Sequence, residues 1–156
     1  MYKVKMDGQT LYYPGDKEAV LTNPTLNLQT GYAGTFEFSV PPNNPLYDKI
    51  KNRSSMVSVF RDTREIFYGE VRKQQKVDRY RNKNVYCAGA MSFLADSIQP
   101  QAEYHDMTPR QMLETFLDIH NNQVEDRKKI YLGKVTITDA NDSLYRYTNF
   151  ENTLKA

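Results

Sequence analysis

The alternation of apolar and polar positions is sharpest over residues 35–40, where Phe36, Phe38 and Val40 fall on one side of an extended chain and Thr35, Glu37 and Ser39 on the other. That pattern predicts a strand with one buried and one wet face. Pro41 and Pro42 must end it, because proline gives a ladder no donor and restricts the residue before it. Upstream, residues 2–6 alternate apolar and basic, Asp7-Gly8 supplies a tight turn, and Leu11-Tyr12-Tyr13 returns until Pro14-Gly15-Asp16 breaks it, which predicts a hairpin. A further strand over 25–29 pairs with 35–40. Downstream, a helical turn over 46–50 leads into a meander across 55–91. Its strands fall at 56–60, 66–71 and 85–90, and a turn at Asp62-Thr63-Arg64 joins the first two. Gly69 in mid-strand predicts a bulge or the close approach of another backbone, and so a curved or closed sheet.

After Met91 the period changes. Residues 92–98 read as two helical turns closed by Pro100, with a hinge or linker over 99–103. Thr108-Pro109-Arg110-Gln111 is a capping box with proline at the first helical position. It opens a helix with Met112, Leu113, Phe116, Leu117, His120 and Val124 along one stripe and Arg110, Glu114 and Asp118 pointing outward. Asn121 and Asn122 can end that helix, and Arg127-Lys128-Lys129 leads towards a strand through Tyr131, Leu132, Val135 and Ile137. A turn at 139–143 and a short segment at 144–147 follow. Thr148-Asn149-Phe150-Glu151 repeats the capping-box logic, so a helix is expected to begin there, at the start of a longer protein's continuation. The expected fold is β-rich α+β. An antiparallel β-barrel-like domain occupies 1–99, and the start of a smaller α+β domain occupies 100–156.

At 156 residues the chain can bury a core without staples, and a formal charge of +2 makes the whole molecule no obvious polyanion binder. The lone cysteine, Cys87, falls inside a predicted strand, which excludes a disulfide framework or zinc spacing and marks it as a small buried hydrophobe. The N-terminus lacks the apolar run of a signal peptide or membrane span, so folding in a cytosol is expected. Charge changes the picture in one place. Residues 72–84 carry six basic residues against Asp78. One reading is a ribbon that tracks phosphates, with Tyr80 free to stack. The other is a long exposed hairpin whose edge is protected by charge, with Arg72, Lys73, Lys76, Arg79, Tyr80, Arg81 and Lys83 available for subunit contacts.

Catalytic and metal signatures are missing from the sequence, so neither an enzyme nor a cofactor is expected. His105-Asp106 is an isolated pair, and Asp118 and His120, two apart on a helix, do not share a face. No G-x-S-x-G, H-E-x-x-H or glycine-rich phosphate loop occurs, and nothing in the spacing brings His105 or His120 to Cys87. The acidic turn at 139–142 lacks the sixth-position glycine and twelfth-position glutamate of a calcium loop, where Leu144 and Phe150 stand, and reads as an Asx turn.

Two passages carry a resemblance. Residues 84–99 (NVYCAGAMSFLADSIQ) resemble the strand-to-helix junction of siphophage tail proteins of the tail-associated lysin (prophage endopeptidase tail) family. His120-Asn121-Asn122-Gln123-Val124, Leu132-Gly133-Lys134-Val135-Thr136, Asn141-Asp142 and residues 145–149 (YRYTN) are similar to that family's next domain, in order and spacing. The resemblance implies a fold like phage baseplate hub proteins: a ring at the distal end of the tail tube, trimeric in the full-length protein, contacting other tail proteins such as the distal tail protein. DNA would be passing cargo, and the location would be the virion tail, at the tip that supports host attachment or penetration. Two alternatives remain open at this point. One is a peptidoglycan endopeptidase whose catalytic part lies downstream of Ala156. The other is a nucleic-acid-binding β-barrel using the basic residues of 72–83.

Overall fold

In a computed structural model of the chain, the structure describes residues 1–76, 81–138 and 144–156, with Lys76 described by its backbone alone. The chain divides into two compact units, Met1–Ala90 and Met91–Ala156. The first is built from seven strands: β1 (Tyr2–Met6), β2 (Gln9–Tyr12), β3 (Thr22–Asn27), β4 (Thr35–Val40), β5 (Met56–Arg61), β6 (Arg64–Lys76) and β7 (Lys83–Gly89). They form one antiparallel sheet in the order β2-β1-β5-β6-β7-β4-β3, curled into a half-barrel. Among the described residues β2 and β3 each pair with one neighbour and not with each other, so this barrel-like sheet is open.

The hydrophobic pattern explains which side of the sheet is core. Phe36, Phe38 and Val40 are buried, while Glu37 between them is exposed. Val57, Val59, Phe67, Val71, Val85 and Cys87 join them inside the curl, and Phe36 stacks against Phe38 and Phe67 at ring separations of 4.8 and 6.0 Å. Asp7 and Gly8 both take positive φ (48° and 81°), the conformation of a two-residue hairpin turn whose twist matches the strands it joins. Gly69 and Gly89 stand opposite each other in the β6–β7 ladder. A Cβ on Gly69 would lie 2.3 Å from the Ala88 carbonyl oxygen, and one on Gly89 would lie 1.8 Å from the Ala33 carbonyl oxygen. Gly69 thus marks a close approach of backbones, one of its two expected roles. The ladder shifts register just beyond it, between Val71 and Lys73. Buried Asn44 replaces missing ladder partners beside β2: its amide donates to the carbonyls of Leu11 and Val20, and its oxygen accepts from the Leu46 amide.

Among the described residues the second unit holds a two-stranded sheet, β8 (Ala102–Met107) with β9 (Leu144–Thr148), one α-helix, α1 (Pro109–Asn121), and 3₁₀ helices at Ala90–Asp96, where the sequence predicts helical turns, and Asp126–Lys128. Thr108 and Gln111 form both reciprocal bonds of the capping box, at 3.1 and 2.9 Å, as the sequence predicts. Phe116 and His120 are the buried positions of the helical stripe, and Tyr104 of β8 meets Phe116 edge-on at 5.5 Å.

Three local expectations are corrected. Residues 99–103 are not a linker: Gln99 is fully buried and Ala102–Met107 is a strand. Residues 130–138, where a strand is expected, join no ladder among the described residues, and Tyr131 is 79% and Ile137 74% exposed. Their alternating composition is strand-like, but no neighbouring edge among the described residues supplies ladder hydrogen bonds. The third is the helix expected at Thr148, where β9 still runs. The Thr148 hydroxyl donates to Pro100 O, and Phe150 has φ 53°. A turn follows at 153–155 instead, with the Asn152 side chain accepting from the Lys155 amide. The acidic turn expected at 139–143 lies outside the described residues.

Candidate functional site

The β6–β7 hairpin is where the sequence places its candidate contact residues, and its base is firmly tied. Below it, a 3₁₀ turn (Tyr47–Lys49) presents the Tyr47 ring, with Lys83 Nζ 4.1 Å from its centroid. Lys83 also donates to Tyr47 O, the Tyr47 hydroxyl donates to Arg81 O, and Gln74 donates to Ile50 O at 3.1 Å. Lys83 is therefore buried, a cation held by a ring face and a carbonyl.

Arg72 is largely buried as well. Its Nε lies 3.2 Å from Glu70 Oε2, and Glu70, fully buried in mid-strand, also faces Arg53 at 3.8 Å. A carboxylate so enclosed needs its cations, and Arg72 has that structural duty. Lys73 and Arg81 remain exposed, with no ion-pair partner among the described residues. The side chain of Lys76, with Arg79 and Tyr80, lies outside the described residues. The structure therefore separates two inward-directed cations from two outward-directed ones.

The register shift after Val71 puts Lys73 on the wet face, opposite Tyr86 of β7, and Tyr86 in turn lies opposite Glu37 of β4. A base, an aromatic ring and an acid thus form a row across three strands. Sequence reading singled out Lys73 alone, because Glu37 and Tyr86 gain meaning only from register. The neighbouring row bonds Ser39 Oγ to Asn84 Oδ1 at 2.6 Å.

A second polar arrangement went unnoticed in the sequence and is sealed inside the second unit. Gln99 Nε2 donates to Thr153 Oγ1 at 2.7 Å, Thr153 Oγ1 lies 2.7 Å from Ser97 Oγ, and Ser97 Oγ lies 2.6 Å from His120 Nδ1. His120 Nε2 faces Lys128 O at 3.2 Å. A carbonyl can only accept, so the neutral ring carries its proton on Nε2 and Nδ1 accepts from Ser97. The donors then run one way from Gln99 to Lys128 O. The arrangement has a Ser–His contact, but Ser97 is 1% and His120 0% exposed, so no substrate reaches it. It pairs the buried side chains of Ser97, His120 and Thr153 and the amide nitrogen of Gln99 with one another and with the Phe116 and Lys128 carbonyls. The signal available in the sequence was polar residues packed around Pro100, which reads equally well as a linker.

His105 and Asp106 lie on the outward side of β8 and do not form a dyad. His105 instead lies 3.5 Å from Glu103 and stacks on Tyr145 at 4.8 Å. Tyr145 donates to Glu103 at 2.7 Å, and that bond holds its phenol above the usual tyrosine range. Burial pushes the Cys87 thiol up, which makes it inert rather than nucleophilic. Among the described residues no group of three or more His, Cys, Asp or Glu is placed to hold a metal ion, and no helix is long and apolar enough to cross a membrane.

No family model and no curated protein matches the sequence. Among solved structures, a tail protein from Neisseria meningitidis MC58 has a similar fold, with a TM-score of 0.55 and 15% sequence identity. The likeness covers 75% of this chain and 33% of that one, so this chain spans about a third of that protein's length.

Proposed function

We propose that the chain is a structural component of a phage or prophage tail, at the tail tip or baseplate hub, where copies form part of the ring that ends the tail tube. The observation that carries this reading is the fold shared with the meningococcal tail protein. The arrangement of the first unit supports it: an open, curled sheet with a wet outer face and a tied-down basic hairpin is suited to lateral packing between copies. The proposed assembly is a trimer in contact with other tail proteins such as the distal tail protein, supporting host attachment or penetration. DNA is passing cargo. Within the proposed contact set, Lys73 and Arg81 have outward charges, whereas Arg72 and Lys83 act by holding the hairpin's shape.

Deleting the gene from its phage or prophage tests this reading. The expected result is loss of complete tails, restored by supplying the chain in trans. Normal tails and unchanged infectivity without it would overturn the proposal.

A further inference from the structure

Charge is divided unevenly between the two units. Residues 1–90 hold 14 Lys and Arg against 9 Asp and Glu, a balance of +5, and residues 91–156 hold 7 against 10, a balance of −3. The negative unit has a shaped feature. Beside α1 a notch of about 350 Å³ is lined by the apolar Leu117, Ile130 and Leu132, by Tyr131, and by Glu114 and Asp118 with Arg110 beside them. Asn121 holds its far wall in place, donating to Ile130 O at 2.8 Å and accepting from the Ile130 amide at 2.9 Å. A second concavity of about 410 Å³ shares Glu114 and Asp118 and adds Asp106. Glu114 is already paired with Arg110 at 2.8 Å, whereas Asp106 and Asp118 have no ion-pair partner among the described residues.

We infer that this notch receives an exposed basic side chain of a second copy of the chain, Lys73 of β6 or Arg81 just before β7. Apolar side chains, a tyrosine ring and carboxylates lining one notch fit a long basic side chain, whose stem packs on apolar surface while its head meets charge and ring face. The hairpin provides such side chains in Lys73 and Arg81, both exposed and without an ion-pair partner among the described residues, with the half-exposed Tyr86 beside Lys73. Charge complementarity selects the occupant: Lys73 and Arg81 belong to the +5 unit, and Asp106 and Asp118 to the −3 unit. The two surfaces differ, so the contact is heterologous and propagates head to tail, closing into a ring where the rotation permits. This inference rests on the tail-ring reading and supplies its contact.

Sedimentation velocity of the full chain over a concentration series, at about 0.05 and 0.5 M salt, tests it. Self-association should strengthen with concentration and weaken at the higher salt. Lys73→Gln with Arg81→Gln, or Asp106→Asn with Asp118→Asn, should each weaken it by about tenfold or more. A mixture of the two double variants leaves one intact hairpin facing one intact notch, so it should form one-to-one pairs and nothing larger. Self-association that neither double variant changes would overturn this contact and leave the tail reading standing. A chain monomeric at every concentration would overturn it too, as would a charge effect confined to the monomer, which would place the hairpin's partner within one chain. None of these results bears on whether tails form without the gene.

Discussion

At the scale of single residues, backbone proximity sets the sharpest constraint. A methyl on Gly89 would strike the Ala33 carbonyl, which cannot swing aside as a side chain could. Gly89→Ala is expected to cost at least about 2 kcal/mol in urea unfolding. Ser97→Ala removes the donor to His120 Nδ1 inside a sealed cluster, and an expected loss of about 1–3 kcal/mol follows from leaving that nitrogen unpaired. Cys87 should not react with a thiol reagent until the protein unfolds, since burial both hides the sulfur and disfavours its thiolate. A titration prediction comes from the first residue. The N-terminal ammonium donates to Asp62 at 2.5 Å and holds that carboxyl below the usual aspartate range. Its contribution to stability is present above the unfolded value of about 4 and is lost as pH falls through the lower folded value. The Asp62 carboxyl resonance should titrate low, and acetylating the N-terminus should return it to the ordinary range.

Elements were legible where their signals were local. The Asp7-Gly8 hairpin, the alternation in β4 and the capping box of α1 each depend on residues within a few positions of one another, and each stands where the pattern places it. Thr108→Ala should accordingly cost about 1 kcal/mol, seen as a lower unfolding midpoint. The same reasoning fails where a distant partner decides. Thr148 has a capping sequence, but Pro100 offers its carbonyl to the hydroxyl and β8 offers a ladder, and those tertiary bonds hold the residue in β9. Residues 131–138 have strand composition but pair with no strand among the described residues. Gln99 looks like linker because the atoms that satisfy it come from Phe116 and Thr153, 17 and 54 positions away. Of the candidate contact residues, the sequence showed the charge but not its direction. The register shift after Val71 and the Tyr47 ring decide that Lys73 faces water and Lys83 faces inward.

For the molecule as a whole, two compact units of opposite charge balance and a fold similar to that of a tail protein are the observations on which the proposed tail role rests. The sealed Ser97–His120 contact is closed to substrate, and it lends no support to the endopeptidase reading, whose catalytic part would lie downstream of Ala156. The nucleic-acid reading loses two of its six cations to Glu70 and Tyr47. The measurement that tests the central claim most directly is mass spectrometry of density-gradient-purified phage or tail particles from the source cells, with immunogold electron microscopy to locate the chain. The account predicts peptides of this chain that co-sediment with tails at a fixed, low copy number, and gold at one end of the tube. Intact tails that lack the chain in every fraction would contradict it.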